Sequence, residues 1–138
     1  MRKRATTDST DFTKISQINK LTEKIIGMAM KVHRELGPGF VEKIYQRALS
    51  QEFKDGGLRA ESEKRVAVSY KSKLVGYQIL DFIVDESVIV EIKAVSELND
   101  IHTAQMISYL KATDKQIGLL LNFATQSLGI KRIINKSA

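Results

Sequence analysis

This 138-residue sequence predicts an α/β domain in which helices cover a central mixed β-sheet. Three observations lead to this prediction: helical periodicity in the first third of the chain, β-branched runs in its middle, and a strand, helix, strand succession after them. A strand, helix, strand crossover usually joins parallel strands, so part of the sheet is expected to be parallel and the rest antiparallel.

Two helices are predicted first. Apolar residues recur at steps of three and four from Ile15 to Leu36, which is typical of an amphipathic helix packed on a core. Gly37-Pro38-Gly39 should end this helix, and a second one is expected from Phe40 to about Lys54. Residues 1–14 are polar and aperiodic, so we expect a flexible lead-in there and a single domain over residues 15–138.

The rest of the chain supplies the sheet and a third helix. Apolar and β-branched runs predict strands at residues 61–70, 74–84, 88–95, 116–121 and, at an edge, 130–135. Asn99-Asp100 can cap a helix that continues to about Ala112. The predicted order is therefore α-α-β-β-β-α-β followed by the edge strand, with helices on the faces of one mixed sheet.

Three charged residues, Asp81, Glu91 and Lys93, lie inside the most apolar stretch of the chain, which is predicted to form a β-hairpin. A three-residue loop places Val84 opposite Val88. Counting outward in antiparallel register then puts Asp81 directly opposite Glu91, with Lys93 two residues further along on the same face.

Stability alone would not select this acidic pair, because like charges across a strand pair repel and a buried unpaired carboxylate is costly. A divalent cation would resolve the conflict, since carboxylate and carbonyl oxygens suit Mg²⁺ or Mn²⁺, and water on such an ion can attack a phosphate. Lys93 could then stabilise the developing charge. Two alternatives stay open: each carboxylate pairs with a lysine, or the charges lie at a solvated sheet edge.

Asp81, a hairpin and then Glu91-Ile92-Lys93 resemble the D…(D/E)-x-K signature of the PD-(D/E)XK, or restriction-endonuclease-like, nuclease superfamily. The segment 39–45, with Gly39, Glu42 and Tyr45, resembles the motif that names the GxxExxY family of that superfamily. The resemblance covers roughly residues 18–135. It departs from the superfamily name in having leucine rather than proline before Asp81.

The resemblance implies a restriction-endonuclease-like core and Mg²⁺-dependent hydrolysis of DNA or RNA by a metal-bound water. Asp81 and Glu91, together with the backbone carbonyl of Ile92, would bind the metal. Lys93 would stabilise charge on the phosphate. These roles are expectations that follow from the resemblance.

The third predicted helix carries a polar stripe, because His102, Gln105 and Tyr109 fall within one narrow arc at about 100° per residue. The Gln105-x-x-x-Tyr109 spacing resembles a motif of the exonuclease branch of the superfamily. That resemblance implies that Gln105 hydrogen-bonds the metal water or the scissile phosphate and that Tyr109 contacts substrate. Periodicity alone leaves a solvated face as the alternative.

Glu42 stands at a helix start, three residues after Gly39, where a carboxylate can cap free amides and favour the helix dipole. The resemblance implies instead that Glu42 reaches the metal site and completes a cluster with Asp81 and Glu91. Tyr45 follows one helical turn later. We expect it to pack over Glu42 or donate to it, and to contact substrate.

Composition excludes several kinds of site. Cysteine is absent and there are two histidines, so disulfides, thiolate zinc sites, cysteine nucleophiles and histidine-rich metal sites are excluded. No apolar run reaches the length of a membrane span, and the amino terminus lacks a hydrophobic signal core. We therefore expect a cytoplasmic protein that does not enter a membrane.

A net charge of +6 and a sequence pI near 9.6 favour a polyanionic partner such as nucleic acid. Part of the excess lies in Arg2-Lys3-Arg4 and in Lys131, Arg132 and Lys136, near the termini, where it can contact phosphates or serve solubility. Aromatic residues are few, so stacking on single strands is not indicated as the main binding mode.

Three functions are compatible with these patterns. A Mg²⁺-dependent nuclease agrees best, and the alternative is a nucleic-acid-binding or partner-dependent module that keeps the site but does not cleave on its own. A structural or protein-interaction domain is third, although an unselected site should lose its repelling buried charges first. Because no separate recognition domain is visible, a homodimer is a further hypothesis.

Overall fold

The structure is a computed structural model that describes the backbone of residues 2–136 and the side chains of residues 12–136. Within this part, three helices and five strands follow one another in the order α-α-β-β-β-α-β-β. The helices are α1 (Arg2–Leu36), α2 (Glu42–Asp55) and α3 (Asp100–Thr113). The strands are β1 (Ala60–Tyr70), β2 (Lys73–Val84), β3 (Val88–Lys93), β4 (Ile117–Asn122) and β5 (Gly129–Ile134).

The five strands form one mixed sheet in the order β1-β2-β3-β4-β5. Only β3 and β4, which are joined through α3, pair in parallel within the described chain, and the other neighbours are antiparallel. Val84 lies opposite Val88, and Asp85 and Glu86 in the turn have positive φ angles. The predicted α/β fold, the mixed sheet and the three-residue hairpin loop are therefore confirmed.

Helix α1 begins at Arg2, whereas the sequence predicted its start at Ile15. Residues 2–14 continue the helix, since no glycine or proline interrupts the chain before Gly27. The division into a lead-in over residues 1–14 and a domain over residues 15–138 stays a prediction. The side chains of the basic Arg2-Lys3-Arg4 segment lie outside the described residues.

Two apolar layers hold the sheet between the helices. One layer joins α1 and α2 to the sheet and includes Ile25, Val32, Leu49, Phe53, Phe82, Val90 and Leu121. The other joins α3 to the opposite face and includes Leu80, Ile83, Ile89, Met106, Leu110 and Leu120. In β4, Gly118 lets the Met106 side chain pack where a Cβ atom would otherwise lie. The centre of the sheet is thus covered on both faces, which positions the first turn of α2 and the middle of α3 beside β3.

The turn between α1 and α2 is held by Tyr45. Gly37 and Gly39 have φ angles of 71° and 116°, which favour glycine. The fully buried Tyr45 hydroxyl donates to the Gly37 carbonyl at 2.6 Å and accepts from the Phe40 amide at 3.1 Å. Its ring stacks on Phe123 with the centroids 4.6 Å apart. Tyr45 therefore fixes where α2 begins.

No helix in the described part of the chain combines the length and the apolar character that a membrane span requires.

We expect Tyr45→Phe to lower the free energy of unfolding by about 1–3 kcal/mol, because the Gly37 carbonyl and the Phe40 amide lose their hydroxyl partner. Urea titration followed by circular dichroism measures the change. Tyr70→Phe, which removes a hydroxyl from an exposed ring, is the matched control and should leave the midpoint unchanged. Equal midpoints for wild type and Tyr45→Phe would contradict the role given to this hydroxyl.

Candidate active site

The regular pairing of β2 stops at Asp81. On one side, β1 pairs with the residues before and after Asp81 but not with Asp81 itself, and the residue opposite, Glu63, has a φ of 51°. On the other side, the ladder with β3 ends at Phe82 and Val90. Leu80 packs against α3 while Phe82 packs in the opposite layer, although alternate residues of a regular strand share a face. The strand is therefore twisted at Asp81.

Two carboxylates continue the contact between β2 and β3 where the backbone ladder ends. The Asp81 amide donates to Glu91 Oε2 at 2.7 Å, and the Ile92 amide donates to Asp81 Oδ2 at 2.7 Å. Each side chain thus occupies the place of a backbone carbonyl on the facing strand. This exchange brings Asp81 and Glu91 together, as the antiparallel count predicted.

The second oxygen of each carboxylate, Asp81 Oδ1 and Glu91 Oε1, accepts no hydrogen bond from the described residues. In that same part of the chain, no buried side-chain polar atom lacks a partner. Both oxygens therefore have access to solvent, although Glu91 as a whole is only 4% exposed.

Burial and mutual repulsion make the pair hard to ionise. Burial and then the Asp81 charge raise the pKa of Glu91 from 4.5 to about 8, against hydrogen bonding from the Asp81 amide and the Lys93 charge. Burial also raises the pKa of Asp81, and the Glu42 charge adds to this effect. Among the described residues, no lysine, arginine or histidine nitrogen lies within 4.0 Å of either carboxylate. The two alternatives left open by the sequence, that each carboxylate pairs with a lysine or that both lie at a solvated sheet edge, therefore do not describe this pair.

Lys93 ends β3 and lies half-buried beside the acidic pair. Its Nζ donates to Gln105 Oε1 of α3 at 3.2 Å, which holds the ammonium group between strand and helix. Asn122 bonds both the amide and the carbonyl of Val95, at 3.1 Å and 2.9 Å, and so fixes the chain just after Lys93. Sequence reasoning missed Asn122, although a lone amide at the end of an apolar strand was a usable signal.

Helix α3 contributes the predicted stripe, but its members differ in environment. Gln105 is exposed and bonds Lys93, while Tyr109 is 6% exposed and hydrogen-bonds the Gln105 side chain. Burial, followed by the Glu91 and Asp81 charges, raises the pKa of Tyr109 to about 12, so its hydroxyl stays protonated. His102 instead accepts a hydrogen bond from the amide of the N-cap residue, and its ring nitrogen serves the start of the helix.

The first turn of α2 reaches the same place from the other face of the sheet. The exposed Glu42 accepts from the Ala94 amide through Oε2 at 3.3 Å, which puts its carboxylate at the end of β3. Gln46, one turn later, is buried and donates to the Asp81 carbonyl at 3.5 Å. Sequence reasoning missed Gln46, whose position one turn after Glu42 was the available signal. Tyr45 is not brought to the site surface.

The donor set is compatible with a hard divalent cation. No group of three or more histidine, cysteine, aspartate or glutamate side chains within the described residues is arranged to hold a metal ion. Mg²⁺, however, is commonly bound by one or two carboxylates and keeps several waters. Asp81 Oδ1 and Glu91 Oε1 are two such oxygens. The Ile92 carbonyl, which in an extended strand lies on the same side as its amide, faces Asp81 as well.

Comparison with known proteins identifies the family and the fold of the chain. A family model for the PD-(D/E)XK nuclease superfamily matches residues 19–133. No curated protein shows significant similarity to the chain. The solved structure of SSO0001 matches with a TM-score of 0.56 and 22% identity over 67% of this chain, which spans 48% of that protein. An alkaline exonuclease from Laribacter hongkongensis, LHK-Exo, matches with a TM-score of 0.50 and 12% identity, covering 81% of this chain and 69% of that one.

These two structures share the fold at low identity, and membership in the GxxExxY family stays a prediction. The family model spans most of the sequence, including both acidic residues and Lys93. The chain therefore belongs to the PD-(D/E)XK nuclease superfamily.

Proposed function

We propose that the protein is a divalent-metal-dependent nuclease that uses Mg²⁺ or Mn²⁺ to hydrolyse phosphodiester bonds of DNA or RNA. The observation that supports this proposal is the exchange between the half-buried Asp81 and the buried Glu91, which holds the two carboxylates together and leaves one oxygen of each open. An arrangement with two repelling acids is costly to a fold, and a cation offsets that cost. Superfamily membership points to the same chemistry.

Asp81, Glu91 and the Ile92 carbonyl are the proposed metal ligands. When bound there, a divalent cation supplies positive charge to the scissile phosphate and lowers the pKa of water. Lys93 adds a second positive charge beside the phosphate and stabilises the negative charge that develops on it. Gln105 accepts from Lys93 and so keeps the ammonium group oriented.

Two further residues complete the proposed site. Glu42, at the end of β3, adds negative charge that strengthens cation binding, and it can orient water. Tyr109 keeps its proton and can donate a hydrogen bond to substrate next to Gln105. Tyr45 is fully buried and its hydroxyl serves the α1–α2 turn, so a contact between Tyr45 and substrate stays a prediction. A cytoplasmic location and a homodimeric state stay predictions.

We expect labelled DNA or RNA to be cleaved in Mg²⁺ or Mn²⁺ and to stay intact in EDTA. Asp81→Asn, Glu91→Gln and Lys93→Ala should each lower the cleavage rate roughly 10²–10³-fold, because each removes a charge that acts on the phosphate or its cation. Gel electrophoresis of single- and double-stranded substrates measures the rates.

Glu86→Gln is the matched control for this test, since it neutralises an exposed glutamate in the β2–β3 turn, at the opposite end of the hairpin from Asp81. It should cleave at the wild-type rate. An intact substrate under every metal condition, with nucleic-acid binding that Asp81→Asn retains, would support the non-cleaving module instead.

We expect the metal-free protein to lose stability as pH rises. The pKa of Glu91 is raised from 4.5 to about 8 by folding, so between these values the folded state keeps a proton that the unfolded state releases. The contribution of Glu91 to the free energy of unfolding is therefore complete below pH 4.5 and is lost as the pH rises to about 8. Thermal melts in EDTA should show this fall, and Glu91→Gln should reduce it by about 5 °C or more.

Added Mn²⁺ should oppose this fall, because the cation binds the ionised carboxylates and so stabilises the folded state more at about pH 8 than at about pH 5. The same melts with and without Mn²⁺ measure the difference. A Glu91→Gln variant that loses stability with pH as steeply as wild type would contradict the raised pKa of this group.

A further inference from the structure

The β1–β2 hairpin extends well beyond the rest of the sheet. We call residues 64–80 the hairpin arm. β3 pairs with β2 at residues 82–84, so the part of β2 inside the arm is paired to β1 alone. Gln78 anchors the base of the arm through a 3.2 Å hydrogen bond to Ser108 of α3. The arm is therefore a two-stranded ribbon with one face toward α3 and the other uncovered.

Every charged residue of the arm is basic. Its 17 residues include Lys64, Arg65, Lys71 and Lys73 and no aspartate or glutamate. The two acidic residues at its base are already paired, Glu61 with Lys64 and Glu63 with Lys43. Three of the four cations thus have no carboxylate partner within the described residues.

The uncovered face combines these cations with exposed rings. Tyr70 is 64% exposed and Tyr77 is 50% exposed. The Arg65 guanidinium carbon lies 4.0 Å from the centre of the Tyr77 ring, and Lys71 Nζ lies 5.4 Å from that of Tyr70. Such pairs hold a charge flat against a ring at the surface. Base stacking on exposed rings beside phosphate-binding cations is a common mode of single-strand recognition.

Exposed apolar side chains on the same ribbon, such as Val75 and Ile79, could also suggest contact with a second copy of the chain. A two-fold dimer through this face would place the same surface against itself. Arg65, Lys71 and Lys73 of both copies would then lie in an interface to which neither arm brings an acidic residue. Charge complementarity therefore favours a polyanion over a second copy.

We infer that the uncovered face of the hairpin arm binds single-stranded nucleic acid next to the Asp81–Glu91 site, an inference that rests on the proposed nuclease function. The arm and the site share one strand, so their spacing follows from strand geometry. At about 3.3 Å per residue, Tyr77 lies about 13 Å and Lys73 about 26 Å along β2 from Asp81. That length matches about eight stacked nucleotides at 3.4 Å each.

Binding in EDTA tests the inference without cleavage. The probes are fluorescein-labelled oligo-dT and oligo-U of about 4, 8 and 20 nucleotides and a DNA duplex of about 20 base pairs, read by fluorescence anisotropy. One variant combines Arg65→Gln, Lys71→Gln and Lys73→Gln, and a second combines Tyr70→Ser and Tyr77→Ser. The matched control combines Lys20→Gln, Lys24→Gln and Lys54→Gln, which removes the same charge from exposed positions on α1 and α2.

Both arm variants should weaken binding of the 20-nucleotide single strands at least tenfold, while the control stays within about twofold of wild type. The 4-nucleotide probe should bind at least tenfold more weakly than the 8-nucleotide probe, because it cannot span the arm. Circular dichroism melts check that every variant is folded. Equal weakening in the control, tighter binding of the duplex, or a dimer that the tyrosine variant dissociates would overturn the inference.

Hydrolysis of bis(p-nitrophenyl) phosphate separates this inference from the proposed function, since that diester is too short to reach the arm. The arm variants should hydrolyse it at the wild-type rate, whereas Asp81→Asn should hydrolyse it more slowly. If neither wild type nor any variant hydrolyses a diester but the arm variants lose oligonucleotide binding, the nuclease proposal fails. The inference that the arm binds nucleic acid then stands. If cleavage depends on Asp81 but the arm variants bind oligonucleotides as tightly as wild type, the inference about the arm fails while the nuclease proposal stands.

Discussion

The exchange of hydrogen bonds between Asp81 and Glu91 across the β2–β3 hairpin is the interaction on which the candidate site depends. Each carboxylate accepts an amide from the facing strand, so the two strands stay joined although their backbone ladder has ended. The strand twists at Asp81, and the beginning of α2 and the middle of α3 lie beside this point. Glu42 and Gln46 arrive from α2, and Gln105 and Tyr109 arrive from α3.

This arrangement places an electrostatic cost inside an otherwise apolar fold. Burial raises the pKa of both acids, the Asp81 charge raises the pKa of Glu91 further, and the Glu42 charge raises both. Two apolar layers, one on each face of the sheet, provide the packing that tolerates the cost. Amide donors satisfy one oxygen of each acid and leave the other open. The protein thereby keeps two acids together without neutralising them through a nearby lysine.

A low overall aromatic content does not specify where the aromatic side chains lie in the fold. Tyrosine occurs four times in the chain, and composition argued against stacking as a binding mode. Folding buries Tyr45 and most of Tyr109, yet it exposes Tyr70 and Tyr77 on one ribbon together with cations. Local concentration therefore matters more than total content. The arm itself contains four basic residues and no carboxylate, so its own net charge is positive.

The sequence by itself determined the element types and their order, the hairpin loop that pairs Val84 with Val88, and the closeness of Asp81 and Glu91, because periodicity and antiparallel counting are local properties. Tertiary structure alone decided the rest. The packing of helices across the sheet decides where the pairing of β2 with β3 ends. It also decides the burial of Tyr45 and the contacts of Gln46 and Asn122. The exposure of the hairpin arm is likewise a tertiary property, because the sequence of a strand does not specify which distant elements cover it.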